Sequence, residues 1–270
     1  MKKLVLFVCS ALIIGFNSCS SDDPLTDNGG GNSNSSHKRI TKIDSNQQKG
    51  AKLTSFHYTY DSKGQWIEYL WKKDNGSRIN NSSLTYSGNT IIQKDYDDEN
   101  SLTTITYTLN NQNLIISQIG DPHSVNSNWE YKYDNGFLKN IYYLSEGKVY
   151  ISIELGYTDG NLTSWKESKG RHYSFIYSDI ENKTGLNISP IIEDFNSEHP
   201  KIRLDIMPLI QQGYFGKLSK NLVKEIREEN TIYSYIQMAY DYTLNNDGLV
   251  DRFYLKNGSD YVLGEYKFYY

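Results

Sequence analysis

One short pattern recurs along this chain and narrows what it can fold into. Two aromatics stand two residues apart, then come Asp or Asn, a Gly, and an apolar residue. It reads Tyr58-Thr59-Tyr60-Asp61-Ser62-Lys63-Gly64, then Tyr131-Lys132-Tyr133-Asp134-Asn135-Gly136, Tyr157-Thr158-Asp159-Gly160-Asn161-Leu162 and Leu244-Asn245-Asn246-Asp247-Gly248-Leu249; Tyr107 to Leu114 is a degenerate copy with Asn in place of Gly. Residues two apart share one face of a strand. An Asp or Asn side chain opens a turn, and Gly takes the positive φ that a two-residue hairpin turn demands. A spacing of roughly two dozen residues is the length of one hairpin. The chain therefore reads as a meander of hairpins with roughly fourteen strands.

The strands alternate strictly. Thr103, Ile105, Tyr107 and Leu109 share a face, with Thr104, Thr106 and Thr108 on the other; Trp129, Tyr131 and Tyr133 alternate with Glu130, Lys132 and Asp134. A sheet of this many strands must curl, split or close, and closure removes the sticky edges. The expectation is an all-β fold, a large antiparallel hairpin meander closing into a barrel or strongly curved sheet, with a short helical insertion. Such a barrel is wider than wall side chains alone usually fill. The 24 Tyr, 9 Phe and 4 Trp supply bulk that suits strands and half-buried sites.

The insertion is expected over residues 187–230, between about the twelfth strand and the last three. Ser189-Pro190 reads as a helix start; Ile191, Ile192 and Phe195 would share a face, and Leu218, Leu222, Val223 and Ile226 recur at helical spacing. Gly213 and Gly216 flank Tyr214-Phe215, which lets the backbone turn both rings inward. The insertion is expected to plug or cover the barrel, with Tyr214 and Phe215 buried against strand aromatics.

The N-terminus carries an export signal. Lys2 and Lys3 precede an apolar run from Leu4 to Phe16 that is too short to span a membrane. It ends in Phe16-Asn17-Ser18-Cys19, which resembles a lipobox, with Phe16 and Asn17 departing from its commonest form. The domain reading is a lipoprotein signal peptide over 1–18, a flexible polar tether over 19–38 starting at lipidated Cys19, and a β domain over 39–270. The only other cysteine, Cys9, leaves with the signal peptide, so the mature domain holds no disulfide.

Two features together resemble a known family: the Tyr-x-Tyr-Asp hairpin repeat and the stretch Met207-Pro208-Leu209-Ile210-Gln211-Gln212-Gly213-Tyr214-Phe215-Gly216-Lys217. With the lipoprotein start, they are similar to Bacteroidota lipoproteins carrying a DUF4595-type domain. The similarity covers nearly all of the chain after the tether. The Gly-Tyr-Phe-Gly-Lys stretch is its more specific part, because Rhs/YD-repeat proteins share the Tyr-Asp turns. The resemblance implies a porin-like fold and carries over no catalytic residue, since the family has no assigned activity. It does not imply a membrane-spanning barrel, because strands carry charges such as Lys94, Glu265 and Lys267 where a lipid-facing band would be apolar. Ser20-Ser21-Asp22-Asp23 resembles the acidic signal that sends such lipoproteins to the outer face of the outer membrane.

No hydrolase elbow, zinc-protease motif, phosphate loop or dinucleotide fingerprint is present. His37, His57, His123, His172 and His199 are scattered, so no metal site is expected, and no cofactor. The acidic run Asp95-Tyr96-Asp97-Asp98-Glu99 reads as a solvated hairpin tip. A net charge of −4 gives no basic surplus for nucleic acid. The expected function is non-catalytic binding, by a monomer, of a glycan or small amphipathic ligand in the curved sheet or in the barrel mouth near the insertion. Its candidate residues are Tyr214, Phe215, Trp66, Trp71, Trp129 and Trp165. The alternatives are a glycan hydrolase with dispersed carboxylates and an Rhs/YD-like structural shell. The only membrane contact expected is the N-terminal lipid. Cys19→Ala should abolish labelling by a palmitate analogue and release the protein from membranes; retention of the variant would instead indicate an integral barrel.

Overall fold

In the computed structural model, the described residues are 38–47, 53–121, 124–188, 200–229 and 234–270. Cys19, residues 20–37 of the tether, Ser189, Pro190, Ile191, Ile192 and Phe195 lie outside them. Sixteen strands form the wall: β1 (Lys42–Gln47), β2 (Thr54–Tyr60), β3 (Trp66–Lys73), β4 (Arg78–Ser87), β5 (Thr90–Tyr96), β6 (Leu102–Leu109), β7 (Ile115–Asp121), β8 (Ser124–Asp134), β9 (Phe137–Ser145), β10 (Lys148–Thr158), β11 (Asn161–Glu167), β12 (His172–Glu181), β13 (Asn221–Glu229), β14 (Ser234–Leu244), β15 (Val250–Lys256) and β16 (Val262–Tyr269). Each strand pairs antiparallel with the next, and β1 pairs with β16 from Lys42↔Tyr269 to Gln47↔Gly264, so the barrel is closed. Among the described residues, a single short helix, α1 (Met207–Gln211), lies between β12 and β13.

The strand count exceeds the expected fourteen or so, and β13 accounts for part of the difference. Leu222, Val223 and Ile226 lie on this strand rather than on a helix. The pairing steps from Ile176↔Glu225 to Tyr177↔Val223, which leaves Lys224 as an extra residue. Such a bulge shifts the inward parity by one. Val223 and Ile226, three apart, are consequently both buried, and a strand imitates helical spacing.

The turns follow two designs. Asn135-Gly136 and Asp159-Gly160 are the expected two-residue hairpin turns, with positive φ at both positions. The other design is longer. At Asp61, Asp97, Asn110, Asn245 and Asn257, the side-chain Oδ1 accepts the backbone N–H groups two and four residues on. The repeated Asp or Asn is thus an acceptor that organises five of the loops.

The paired aromatics before the turns face inward. Tyr58, Tyr131 and Tyr240 are buried, and the second ring of each pair sits at the strand end. There the hydroxyls of Tyr60, Tyr86, Tyr133, Tyr242 and Tyr270 donate to the backbone carbonyls of Ile40, Trp66, Ile115, Val223 and Val250 at 2.6–2.9 Å. Each acceptor lies 18 to 20 residues upstream, at or near the start of the preceding strand. Each such tyrosine therefore ties the two strands of one hairpin together at their open ends. A net hydrogen bond contributes about 1 kcal/mol, so five ties approach the lower end of a domain's whole net stability of roughly 5–15 kcal/mol.

The segment between β12 and β13 closes that same end of the barrel. Tyr214 O accepts from Ile115 N, Lys217 N donates to Gly136 O, Lys220 N donates to Gly160 O, and Gln212 Nε2 donates to Gly64 O, all at 2.8–3.1 Å. One strap is thereby bonded to four positions around the rim. A side chain at Gly216, where φ is 88°, would meet Gly136 O at 2.5 Å, so the strap lies too close to the rim for a Cβ. Residues 202–206 run inside the wall, where Tyr58 donates its hydroxyl to Leu204 O at 2.8 Å. Tyr214 packs 6.1 Å from Tyr86, and Phe215 meets Tyr131 edge-on at 5.5 Å. Both are 5% exposed, as the plug reading requires.

Two outcomes are expected. Phe215→Ala should cost about 3–5 kcal/mol in urea unfolding, the usual figure for emptying a buried Phe site; a neutral result would mean the strap does not carry packing energy. Alkali should unfold the barrel. Burial pushes Tyr60, Tyr86, Tyr133 and Tyr242 above the ordinary tyrosine range and Tyr270 up to about 12. The unfolded chain therefore loses protons first, so stability is complete below pH ~10 and falls as pH rises beyond it. Loss of β circular dichroism and growth of tyrosinate absorbance should coincide in one steep transition. Gradual ionisation with an intact β signal would show that the hydroxyls reach solvent.

Candidate functional site

The sequence candidates do not meet in one place on the surface. Trp66, Trp129 and Trp165 are 0–1% exposed and belong to the packed interior. Trp66 donates its Nε1 to Glu68 O at 2.7 Å, and Trp129 packs 5.1 Å from Tyr143 in a tilted arrangement. Trp71 is half-buried and lies 5.5 Å from Phe56, nearly parallel to it. Tyr214 and Phe215 belong to the strap's seal over one barrel end. Strand alternation alone places a ring inward, and in a filled barrel inward means core.

The interior is not wholly apolar. From β4, β5 and β7, Ser82, Gln93 and Gln118 are buried facing inward. Gln93 Nε2 donates to Asp95 at 2.8 Å, and the hydroxyls of Tyr107 and Tyr131 donate to Gln93 Oε1 and Gln118 Oε1 at 3.1 and 3.2 Å. Arg203 of the inner segment is buried and forms a two-point ion pair with Asp205. Burial pushes the Asp95 carboxyl up; its hydrogen bonds to Ser82 and Gln93 and the nearby Arg203 act the other way, while Asp205 adds to the rise. Within the acidic run, Asp95 thus points into the barrel, whereas Asp97 organises the hairpin tip. The wall bonds form a polar patch inside the barrel near the Arg203–Asp205 pair of the inner segment.

The outer wall is polar. Outward positions include Thr104, Thr106 and Thr108 on β6, Glu130 and Lys132 on β8, and Glu265 and Lys267 on β16. Membrane-spanning barrels carry an apolar band outside and polar groups within; here the interior is largely apolar, and charged and hydroxyl side chains interrupt the outer face around exposed Leu102, Ile119, Val149, Tyr150, Ile176 and Val262. His57 and His172 also lie at outward strand positions, on β2 and β12, and burial pushes His57 below its ordinary value. Among the described residues, no group of three or more His, Cys, Asp or Glu could hold a metal ion.

A shallow concavity interrupts the outer wall where β9, β10 and β11 run side by side. It has a volume of about 270 Å³ and is lined by Asn140, Tyr142, Ser152, Glu154, Lys166 and Glu167, among others. Two outward rows build it. Asn140, Glu154 and Lys166 are cross-strand partners in one, and Tyr142 pairs with Ser152 in the next. Ser168 continues the second row: its backbone N–H donates to Ser152 O at 2.8 Å and its Oγ accepts from Ser152 N at 3.0 Å. Glu167 turns its side chain inward to 4% exposure, with Arg171 Nε at 3.9 Å. Burial pushes this carboxyl up, and Arg171 and Lys169 oppose the shift. Sequence reading missed this constellation because its members lie on three strands and converge only through register. The alternating charges were visible, but nothing in the linear order marks which rows adjoin.

No family model matches the chain, and no curated protein does. Solved structures do resemble it. The crystal structure of a porin-like protein from Bacteroides uniformis aligns with a TM-score of 0.64 at 17% identity, over 85% of this chain and 96% of that one. A porin-like protein from Bacteroides vulgatus aligns with a TM-score of 0.56 at 14% identity, over 86% and 98%. At these identities the likeness is one of fold: a porin-like closed barrel.

Proposed function

We propose that this chain is an exported, lipid-anchored barrel that binds a glycan or small amphipathic ligand without catalysis, displayed from the outer face of the outer membrane. The observation that carries the reading is the division of the barrel into a filled aromatic interior and a polar outer wall. An interior packed with rings and sealed at one end by the strap leaves recognition to the outside. The barrel end beside the strap, the first expectation for a binding mouth, is occupied by Tyr214 and Phe215 in packing contacts. A polar wall suits a domain held in water on a tether, with Cys19 as the membrane attachment and Ser20 to Asp23 as the export signal. The resemblance of the Met207 to Lys217 stretch and of the hairpin repeat to DUF4595-type lipoproteins supports the same placement.

Two measurements test it. Protease added to intact cells should cleave the wild-type protein and spare a variant carrying Asp22→Ala and Asp23→Ala that is still lipidated; equal shaving of both would remove the display reading. Soluble mature protein carrying Cys19→Ala should bind a restricted set of glycans on an array. An array without any bound glycan would overturn the glycan reading and leave the structural-shell alternative standing.

A further inference from the structure

We infer that the concavity on β9–β11 is a subsite for a single neutral sugar ring. The inference rests on the binding reading above and names the place and the ligand chemistry. Its dimensions come first. Strands lie about 4.8 Å apart and alternate residues about 7 Å apart along a strand, so two rows across three strands frame a patch of about 10 Å by 7 Å. The volume of about 270 Å³ lies just below the roughly 300–1,000 Å³ of sites for drug-sized molecules. One ring with its substituents fits; a disaccharide would have to extend onto the open wall.

The chemistry comes second. A sugar ring presents one apolar face and a rim of hydroxyls that both donate and accept. Tyr142 supplies a flat ring with a polar tip. Glu154 accepts, Asn140 both donates and accepts, and Lys166 donates. The Oγ of Ser168 already accepts the Ser152 N–H, so its own proton is directed to another acceptor. An acceptor and a donor thus stand on adjacent strands, Glu154 on β10 and Lys166 on β11, within reach of neighbouring hydroxyls of one ring. Carboxylates and amides beside an aromatic ring are the groups that distinguish a polyol from water.

Charge then selects a neutral ligand. Glu154 has Lys139 at 3.7 Å, and Glu167 has Arg171 at 3.9 Å. The carboxylates have cations of their own and do not call for a cationic ligand. With Lys139, Lys166 and Arg171 beside Glu154 and Glu167, charges of both signs are interspersed and the patch presents no anionic face either. Two carboxylates without a third ligand group do not make a divalent-cation site.

The test uses isotope-labelled mature protein carrying Cys19→Ala, titrated with the methyl glycosides of glucose, galactose and mannose at millimolar concentration. At least one should shift the backbone amides of Asn140, Tyr142, Ser152, Glu154 and Lys166 while leaving the strap unperturbed. Tyr142→Ala and Glu154→Gln, both on the outer wall, should each weaken that binding at least tenfold with the β circular dichroism unchanged. Shifts centred elsewhere, undiminished binding in both variants, or no shift from any of the three glycosides would overturn the subsite. If the array still finds a glycan in any of those cases, the binding reading survives without this site; if it finds none, both fall.

Discussion

A ring of sixteen strands encloses more space than its own wall side chains would ordinarily fill, and an unfilled apolar interior forfeits packing contacts along its whole lining. The rest of this structure depends on how that volume is occupied. The answer has two parts. Large rings point inward from most of the strands, and a segment of the chain passes inside and across one end. Phe253 illustrates the first part, with Tyr240, Tyr242, Tyr266 and Phe268 all within 6.1 Å of its ring centre. Tyr58 illustrates the second, spending its hydroxyl on the inner segment rather than on the wall.

Tyrosine suits this task better than phenylalanine for a physical reason. Near the barrel ends the strands begin and stop, and backbone carbonyls there lose ladder partners. A long ring with a terminal donor both fills space and reaches such a carbonyl. Five tyrosines do so with nearly the same sequence offset, 18 to 20 residues, and this gives the repeat its regularity. Burying the hydroxyl without a partner would cost more than the bond gains, so these ends tolerate little variation in ring type or register.

Filling the lumen also decides where the protein can act. Wide membrane barrels keep a polar lumen for passage and an apolar exterior for lipid. Here rings fill the interior, and the outer face mixes charged and hydroxyl groups with a few exposed apolar ones, so this porin-like barrel holds a packed core. The register of β9, β10 and β11 gathers some of the acidic and basic residues of the outer wall around a concavity.

Alternation and turn chemistry are local, so the order of residues by itself determined the all-β class, the hairpin repeat, which Tyr and Thr share a face, and the turning role of Gly213 and Gly216. It also marked the strap, because an apolar stretch broken by Pro208, Gly213 and Gly216 cannot continue a meander. Three things were decided only in three dimensions. The parity shift at Lys224 depends on pairing with β12, so β13 looked helical in isolation. The direction of Asp95 depends on which face of β5 lines the interior, so an acidic run divided into an inward carboxyl and an outward hairpin tip. The neighbours Asn140, Glu154 and Lys166 are set by strand register across two separate hairpin turns. A residue's own identity says whether it suits a strand; only closure of the ring says what lies beside it.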